Sequence, residues 1–398
     1  MKLNSSILAA ALGLASVSLA SATQYVYYTG STAARDAIYN ALIAGVGFDN
    51  ANVSFVGAGN SSPGSCTYMC FSNTVSTVPT IVKCLWSGSE AGIADVSGSG
   101  LEYFLLDPGT QSVPSFNGTT PVVFGTTGAP STPNTSYYFQ NTVDIAQADN
   151  DVAYSKEPTT TAVEVFDNLA IPFVFVKSAN SLPDNAAFTN ITADNFKVLA
   201  QGGDALVQFT GNAADTTPFV YLAGRDDNSG TRVNCLGETG WGIKKAVSQI
   251  ELVGNTSGAN AMVPQSSGYY TDEGQSSGGT LAKSLTDTTT TPDLINGGTG
   301  LIAVAYLGLS DAATAENTTY KAVQLTYDGV AYTAANVENG TYAFWGKEYT
   351  VKRQGVSSIG AHFAAAIAAG VENYTAGFEI PYSAMNVDRS GPLGYPIY

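Results

Sequence analysis

Three apolar runs in this chain each end in a short turn built from glycine and small polar residues. The first, Tyr25-Val-Tyr-Tyr28, is followed by Thr29-Gly30-Ser31-Thr32. The second, Val53-Ser-Phe-Val56, runs into Gly57-Ala-Gly59-Asn60-Ser61. The third, Phe219-Val-Tyr-Leu222, runs into Ala223-Gly-Arg225-Asp226-Asp227-Asn228-Ser229-Gly230-Thr231. A short apolar run closed by turn residues is a strand signal. After the first turn, Ala34, Ile38, Ala41 and Leu42 recur on one face of a helix from Ala33 to Ala44, and Gly45 is a natural stop. A helix starting near Thr231 extends the third run in the same way. Strand, small polar turn and helix in repetition restrict the chain to an α/β fold.

These turns also carry chemistry. Ser31 or Thr32 is a good N-cap, and the free N–H groups of a helix start attract anions. Arg225 offers a planar fork of donors that meets a tetrahedral oxyanion two bonds at a time. Ser229 and Thr231 add hydroxyl donors, and Gly230 lets successive N–H groups turn inward. Taken alone, 223–231 is equally well a polar surface turn with an Arg–Asp pair.

The chain of 398 residues has room for about two domains. Residues 1–22 are read as a cleaved signal peptide: Lys2, an apolar stretch from Ile7 to Leu19, and the small residues Ala20-Ser21-Ala22. The mature chain is therefore expected outside the cytoplasm, periplasmic or secreted, with no membrane insertion, since no run reaches the ~18 apolar residues of a span. The formal charge of −16 disfavours nucleic acid and anionic lipid as partners. An acidic protein that binds an anion must do so through local dipoles and a buried cation. Cys66, Cys70, Cys84 and Cys235 make an even count in an exported chain, so a disulfide is expected within the segment from Cys66 to Cys84, from Cys66 or from Cys70. A metal site is not expected, because His362 is the sole histidine and no second Cys-x-x-Cys pair exists. No cofactor is expected either.

Together the three turns resemble the periplasmic phosphate-binding proteins of bacterial ABC importers, a branch of the type II periplasmic binding proteins. The family's Arg-x-Asp-x-Ser-Gly-Thr motif stands here as Arg225, Asp227, Ser229, Gly230 and Thr231. Its Gly-Ser-Thr turn is Gly30, Ser31 and Thr32, its Gly-x-Gly-x-Ser turn is Gly57, Gly59 and Ser61, and its later glycine-opened strand looks like Gly298 to Tyr306. The resemblance implies two α/β lobes with a ligand cleft between them, lobe A at 23–175 plus 315–398 and lobe B at 176–314, closing by hinge motion. It implies binding by Ser31, Thr32, Ser61 and Ser99 from one lobe and by Arg225, Ser229, Gly230 and Thr231 from the other. Gly30 supports the first turn, and Asp227 holds the Arg225 fork. The family also carries Asp-Phe-Gly-Ala-Ser-Asp, whose last carboxylate touches the ligand. Gly92 to Gly100 reads as a strand and polar turn at that place, which puts Gly100 where the acid belongs. Either Asp227 or Asp95 then replaces it, or discrimination between phosphate and sulfate weakens.

The rest of the chain reads more simply. Residues 63–90 look like a Cys-bearing insertion of low periodicity, and 107–165, rich in Thr, Pro, Ser, Gly and Asn, like a surface excursion. Leu169 to Lys177 and Ile302 to Leu307 read as strands. Ile191 to Leu199 with a Thr192 cap, Lys244 to Leu252, and Ser358 to Tyr374 read as helices. His362 is read as a solvated histidine on the last of these.

Three functions fit to different degrees. The first is capture of phosphate or a similar tetrahedral oxyanion by a monomeric solute-binding protein, for delivery to an ABC permease. The second is a secreted or surface-associated protein whose anion site is degenerate and whose enlarged loops serve interaction; a permease gene beside it separates the two. Enzymatic activity is not expected, for there is no histidine pair, metal cluster or Gly-x-Ser-x-Gly elbow.

Overall fold

The computed structural model describes residues 21–98, 100–125, 136–157, 163–253, 260–375, 377–389 and 396–397. The fold is α/β, as the repeated strand–turn–helix pattern implies. In the first half the chain forms β1 (Gln24–Gly30), α1 (Arg35–Ile43), β2 (Ser54–Ala58), β3 (Tyr68–Val75) and β4 (Val78–Leu85). Next come α2 (Ser89–Ser97), β5 (Leu101–Leu105), β6 (Val122–Phe124), β7 (Tyr138–Thr142) and β8 (Ile145–Ala148). The long β9 (Val163–Lys177) leads to the second half, with α3 (Ala193–Ala200), β10 (Phe219–Leu222), α4 (Gly230–Glu238), α5 (Gly278–Ser284), β11 (Leu301–Gly308) and α6 (Leu309–Glu316). β12 (Trp345–Arg353) and α7 (Ser358–Gly370) then rejoin the first half.

β9 belongs to two sheets at once. Its first part, up to Pro172, pairs antiparallel with β12; its last five residues, Phe173 to Lys177, pair antiparallel with β11. Outward from β9 on the first side the order is β12, β8, β1, β4, β3, β2, β6, and on the other side β11 then β10. β1 runs parallel to β4 and β8, and β10 parallel to β11. From Leu169 to Val176 the strand is buried throughout, which is why it reads as one apolar run rather than an alternation. Pro172 stands where the partner changes. Lacking an N–H, it leaves no ladder donor stranded there. The next donor, Phe173 N, goes to Phe344 O at 3.0 Å.

Each half has its own packed interior. Val26, Ile38, Phe55, Phe71 and Phe363 belong to the core on one face of the first sheet, and Val56, Ile93, Phe104 and Val351 to the core on the other. Phe173, Phe175, Tyr221, Ile302 and Tyr306 anchor the second half. Thr192 caps α3 as expected, and the box is closed by Asn195, which returns a bond to the Thr192 N–H.

Several readings need correction. Residues 63–90 are not an insertion: β3 and β4 form a hairpin, and β4 is the central neighbour of β1. Its turn is Ser76-Thr77, both at positive φ, without the Asn-Gly or Asp-Gly that announces such turns. The Asp49 carboxylate holds it instead, accepting from Ser76 N and Thr77 N at 2.8 and 3.0 Å. Residues 92–96 lie in helix α2, not a strand. Gly92 lets that helix lie against β1, since a methyl there would stand 3.0 Å from Gly30 Cα. Within the supposed excursion 107–165, β8 is a fully buried strand between β1 and β12. The helix expected at 244–252 is absent. Ser248 N and Val247 N bond outward to Ala200 O and Asp272 Oδ1 at 2.8 Å each, and short strands occupy Gln249–Ile250 and Leu252–Val253. The return to the first half comes at Phe344–Trp345 rather than near 315, because Ala322, Leu325, Tyr327 and Val337 pack into the second core.

All four cysteines are free and buried, which overturns the expected disulfide. Cys70 and Cys84 sit on adjacent strands one position out of register, so they face opposite sides of the sheet. Cys66 shares a face with Cys84 but lies beyond the hairpin end, 3.4 Å from Ser62 O. Burial raises the thiol pKa of each; Cys66 and Cys70 are pushed up to about 11. Thiol titration without reductant should therefore find four reactive thiols in denaturant and close to none in the native protein. Fewer than four after unfolding would mean that a bridge exists.

Candidate anion-binding site

β1 and β8 are parallel neighbours and end together, at Gly30 and Ala148. Their ends approach closely: Ser31 N donates to Gln147 O at 2.8 Å, and a methyl on Gly30, which has φ +121°, would lie 2.0 Å from that carbonyl oxygen. Only glycine fits this position. Ser31 and Asp149 thus emerge side by side. Ser31 Oγ accepts from Ala33 N and Ala34 N at 3.0 and 3.3 Å, so it satisfies donors ahead of α1, although the residue in the N-cap place is Ala34. The same hydroxyl donates to Asp149 Oδ1.

The second half reaches the same carboxylate. Ser229 caps α4, accepting from Arg232 N at 3.2 Å, and this fixes the first turn of the helix. Thr231 Oγ1 then donates to Asp149 Oδ2 at 3.2 Å. Asn234, one turn on, donates from Nδ2 to Asp149 O at 2.9 Å. Gly230 makes this approach possible: a methyl there would stand 2.4 Å from Ser89 Oγ, which in turn accepts from Asp149 N at 3.1 Å. Ser31, Asp149, Ser229 and Thr231 are all 1–2 % exposed. A hydroxyl from each half therefore meets on one buried carboxylate.

Arg225 lies at the end of β10, 3 % exposed. Its Nε donates to Gln275 O at 3.1 Å and its Nη2 to Ser276 O at 3.2 Å. Its backbone N donates to Tyr306 Oη at 3.1 Å. Asp311, in the first turn of α6, is its acidic neighbour. A methyl on Gly278 would sit 1.9 Å from Asp311 Oδ2 and 3.4 Å from Arg225 Nη1. Burial raises the Asp311 pKa, and the charges of Arg225 and Arg35 oppose that rise. Asp227 does not hold the Arg225 fork. It is exposed and pairs with Lys156 and Arg232 at 3.1 and 3.2 Å. Arg232 takes the holding role through the backbone, donating to Arg225 O at 3.1 Å while it pairs with Asp272. Its place, one turn into a helix that carries few other charges, was the available sign.

The remaining expected residues scatter. Thr32 lines the open cleft between the halves. Ser61 is exposed, its N–H on Asn60 Oδ1 at 2.7 Å, and it is Asn60 that lines the cleft. Ser99 lies outside the described residues. Gly100 is glycine for a packing reason: a methyl there would stand 2.3 Å from Asp95 Oδ1. Asp95 faces Glu102, not the buried centre. The carboxylate at the buried centre is that of Asp149, and Asp144-Ile-Ala-Gln-Ala-Asp149 has the same Asp-to-Asp spacing as the hexad sought at Gly92 to Gly100. Beside it on β12 is Glu348, fully buried. Burial, then the Asp149 charge, hold its pKa well above the usual range, so it keeps its proton where an exposed glutamate has lost it.

No protein-family model and no curated protein matches the chain. Solved structures similar to it include a phosphate ABC transporter substrate-binding protein with bound phosphate from Clostridium perfringens, at 13% identity and TM-score 0.45, covering 90% of this chain and 99% of that one. An ABC-type phosphate transport receptor from Vibrio cholerae matches at 12% identity and TM-score 0.42, over 87% and 93% of the two chains. PstS from Borrelia burgdorferi matches at 13% and 0.36, over 86% and 92%. At this distance such likenesses do not decide a ligand, which must be read from the residues.

The Asp95–Glu102 pair gives a pH signature. Burial first, then the Glu102 charge, push Asp95 from 3.8 up to about 8. A carboxyl that holds its proton more tightly folded than unfolded adds stability that is complete below its unfolded pKa. That contribution is lost as pH rises through the folded value. Melting temperature should therefore drift down between pH 4 and 8, and Asp95→Asn should flatten the drift. An unchanged pH profile in the variant would show that the pair is not protonated.

Proposed function

We propose that this chain is an extracytoplasmic solute-binding protein that closes two α/β halves on a tetrahedral oxyanion, phosphate foremost, and hands it to an ABC permease. The observation that carries the reading is the meeting of Ser31 and Thr231, one from each half, on the buried Asp149 carboxylate, with the buried Arg225 near enough that it and Asp149 both act on Asp311. An arriving anion takes over the hydroxyls now given to Asp149, and Arg225 exchanges two neutral carbonyl acceptors for a charged one. Hydrogen bonds to an ionised acceptor are roughly twice as strong as neutral ones. Asp149 is thereby freed to accept a hydrogen bond from the ligand. Phosphate near neutral pH carries a proton and sulfate carries none, so sulfate would meet an unpaired carboxylate. The role is binding rather than catalysis: His362 is exposed on α7 beside Phe363, away from the turns. Among the described residues no helix is long and apolar enough to cross a membrane.

A second reading has an observation of its own. Each donor already has an internal acceptor, Ser31 and Thr231 on Asp149 and Arg225 on the Gln275 and Ser276 carbonyls. A protein using this fold for interaction, with an anion site filled by its own carboxylate, would look the same.

Calorimetric titration of the mature chain with phosphate, arsenate and sulfate separates them. On the first reading phosphate binds, and sulfate is weaker by about 3 kcal/mol or more, from repulsion and desolvation at Asp149. Asp149→Asn should shrink that gap to about 1–2 kcal/mol, because neutral donors treat both anions alike. Arg225→Ala should cost about 2–5 kcal/mol of phosphate affinity. Absence of heat with all three anions would favour the second reading.

A further inference from the structure

Beside the buried centre the two halves do not close completely. Between them lies a cleft of about 540 Å³. It continues past Arg35 into a hollow of about 500 Å³ lined also by Asp36 and Thr314. That size belongs to sites for organic molecules, ~300–1,000 Å³, and a bare tetrahedral ion fills a small part of it. The lining from the first half includes Thr32, Arg35, Asn60, Glu102 and Tyr103, and from the second Asn228, Ser277, Thr280 and Asp311. Most of these are hydroxyls, amides and carboxylates.

Arg35 is the most specific of them. Its Nε is buried and has no hydrogen-bond partner. Burial pulls its pKa below the usual value, Asp311 and Asp36 draw it back, and Arg225 opposes it, so the two guanidinium groups stand near one another across Asp311. A buried N–H without an acceptor is costly and calls for an oxygen from outside the chain. Asp36, Glu102, Asp226 and Asp311 outnumber Arg35 and Lys283 along these hollows, which argues against a second full negative charge on that ligand. These acids are instead good acceptors for hydroxyl protons. Tyr103 adds an aromatic surface, which suits the apolar C–H faces of a sugar or polyol.

Resting on the oxyanion reading above, we infer that the natural ligand is a phosphate monoester of a polyol or sugar. Its phosphoryl group goes to Arg225, Ser31 and Thr231. Its hydroxylated part occupies the open cleft, with Arg35 Nε and the Asn228 amide donating to hydroxyl oxygens and Asp311 and Glu102 accepting from hydroxyl protons. The ester carries a phosphoryl proton only as its monoanion, so that is the form the Asp149 carboxylate selects.

The test is parallel titration of the mature chain with inorganic phosphate, glycerol 3-phosphate, glucose 6-phosphate and glucose. At least one ester should bind tenfold or more tighter than inorganic phosphate, and glucose alone should not bind detectably. Arg35→Leu should remove most of that advantage while changing the phosphate Kd less than threefold. Asn228→Ala, at an exposed side chain that does not threaten folding, should reduce it in the same direction. Esters that bind no tighter than phosphate overturn the inference and leave the oxyanion reading standing. So does an ester preference that neither variant moves. If phosphate and esters all fail to bind, both fall.

Discussion

One strand holds the two halves together, and the placement of everything else depends on it. β9 gives its first part to one sheet and its last five residues to the other, and β12 returns alongside it. Two adjacent, antiparallel crossings join the halves and fix them laterally. Pro172 marks the change of partner with a residue that needs no backbone donor. The strand ends on either side, after β1, β8 and β10, then face one another. Ligand sites in open α/β sheets form outside such carboxyl ends. Here the two sheets supply the two walls.

The local chemistry at that meeting point runs against the protein's overall charge. A chain with a formal charge of −16 gives no long-range attraction to an anion. Salt screens that repulsion beyond roughly 8–10 Å, so capture depends on what happens inside the cleft. Arg225 and Arg232 are both nearly buried, and their guanidinium groups bond largely to backbone carbonyls. Such bonds keep a cation charged and aimed without cancelling its charge. The exposed Asp227 and the half-buried Asp272 balance Arg232 from outside, leaving Arg225 with Asp311 as its acidic neighbour.

What the sequence revealed and concealed follows from where the local signals were strong. The helix start near Thr231, the Thr192 cap, the glycine turns and the apolar β9 are decided by short-range physics, and each was legible. Ser31 and Thr231 were legible as donors for the same reason. Asp149 was not, because β8 is four residues long and sits in a stretch dominated by Thr, Pro, Ser and Gly; it becomes a strand only between β1 and β12. The Ser76-Thr77 turn was hidden because its stabiliser, Asp49, lies far earlier in the chain. Gly100 was misread as a lost acid when it is a glycine required by contact with Asp95. For Asp149 and the Ser76-Thr77 turn the deciding partner is remote in sequence, and local propensity carries no trace of it; for Gly100 it is five residues away but acts through a side-chain contact that only the folded helix end creates.

The filled state of the centre bears on which ligand could displace it. Asp149 now satisfies both hydroxyls, so an incoming oxyanion gains little from them: it exchanges one pair of charge-assisted bonds for another. The net gain must come from elsewhere. One source is Arg225, whose present acceptors are neutral carbonyls. The other is Asp149 itself, which loses two donors and is left buried without them unless the ligand donates a hydrogen bond in return. A ligand with charge alone therefore gains at Arg225 and loses at Asp149, whereas one with both charge and a proton gains at the first and breaks even at the second. On the proposed reading the internal carboxylate is thus a competitor for the site and also the reason that only a protonated oxyanion can win it.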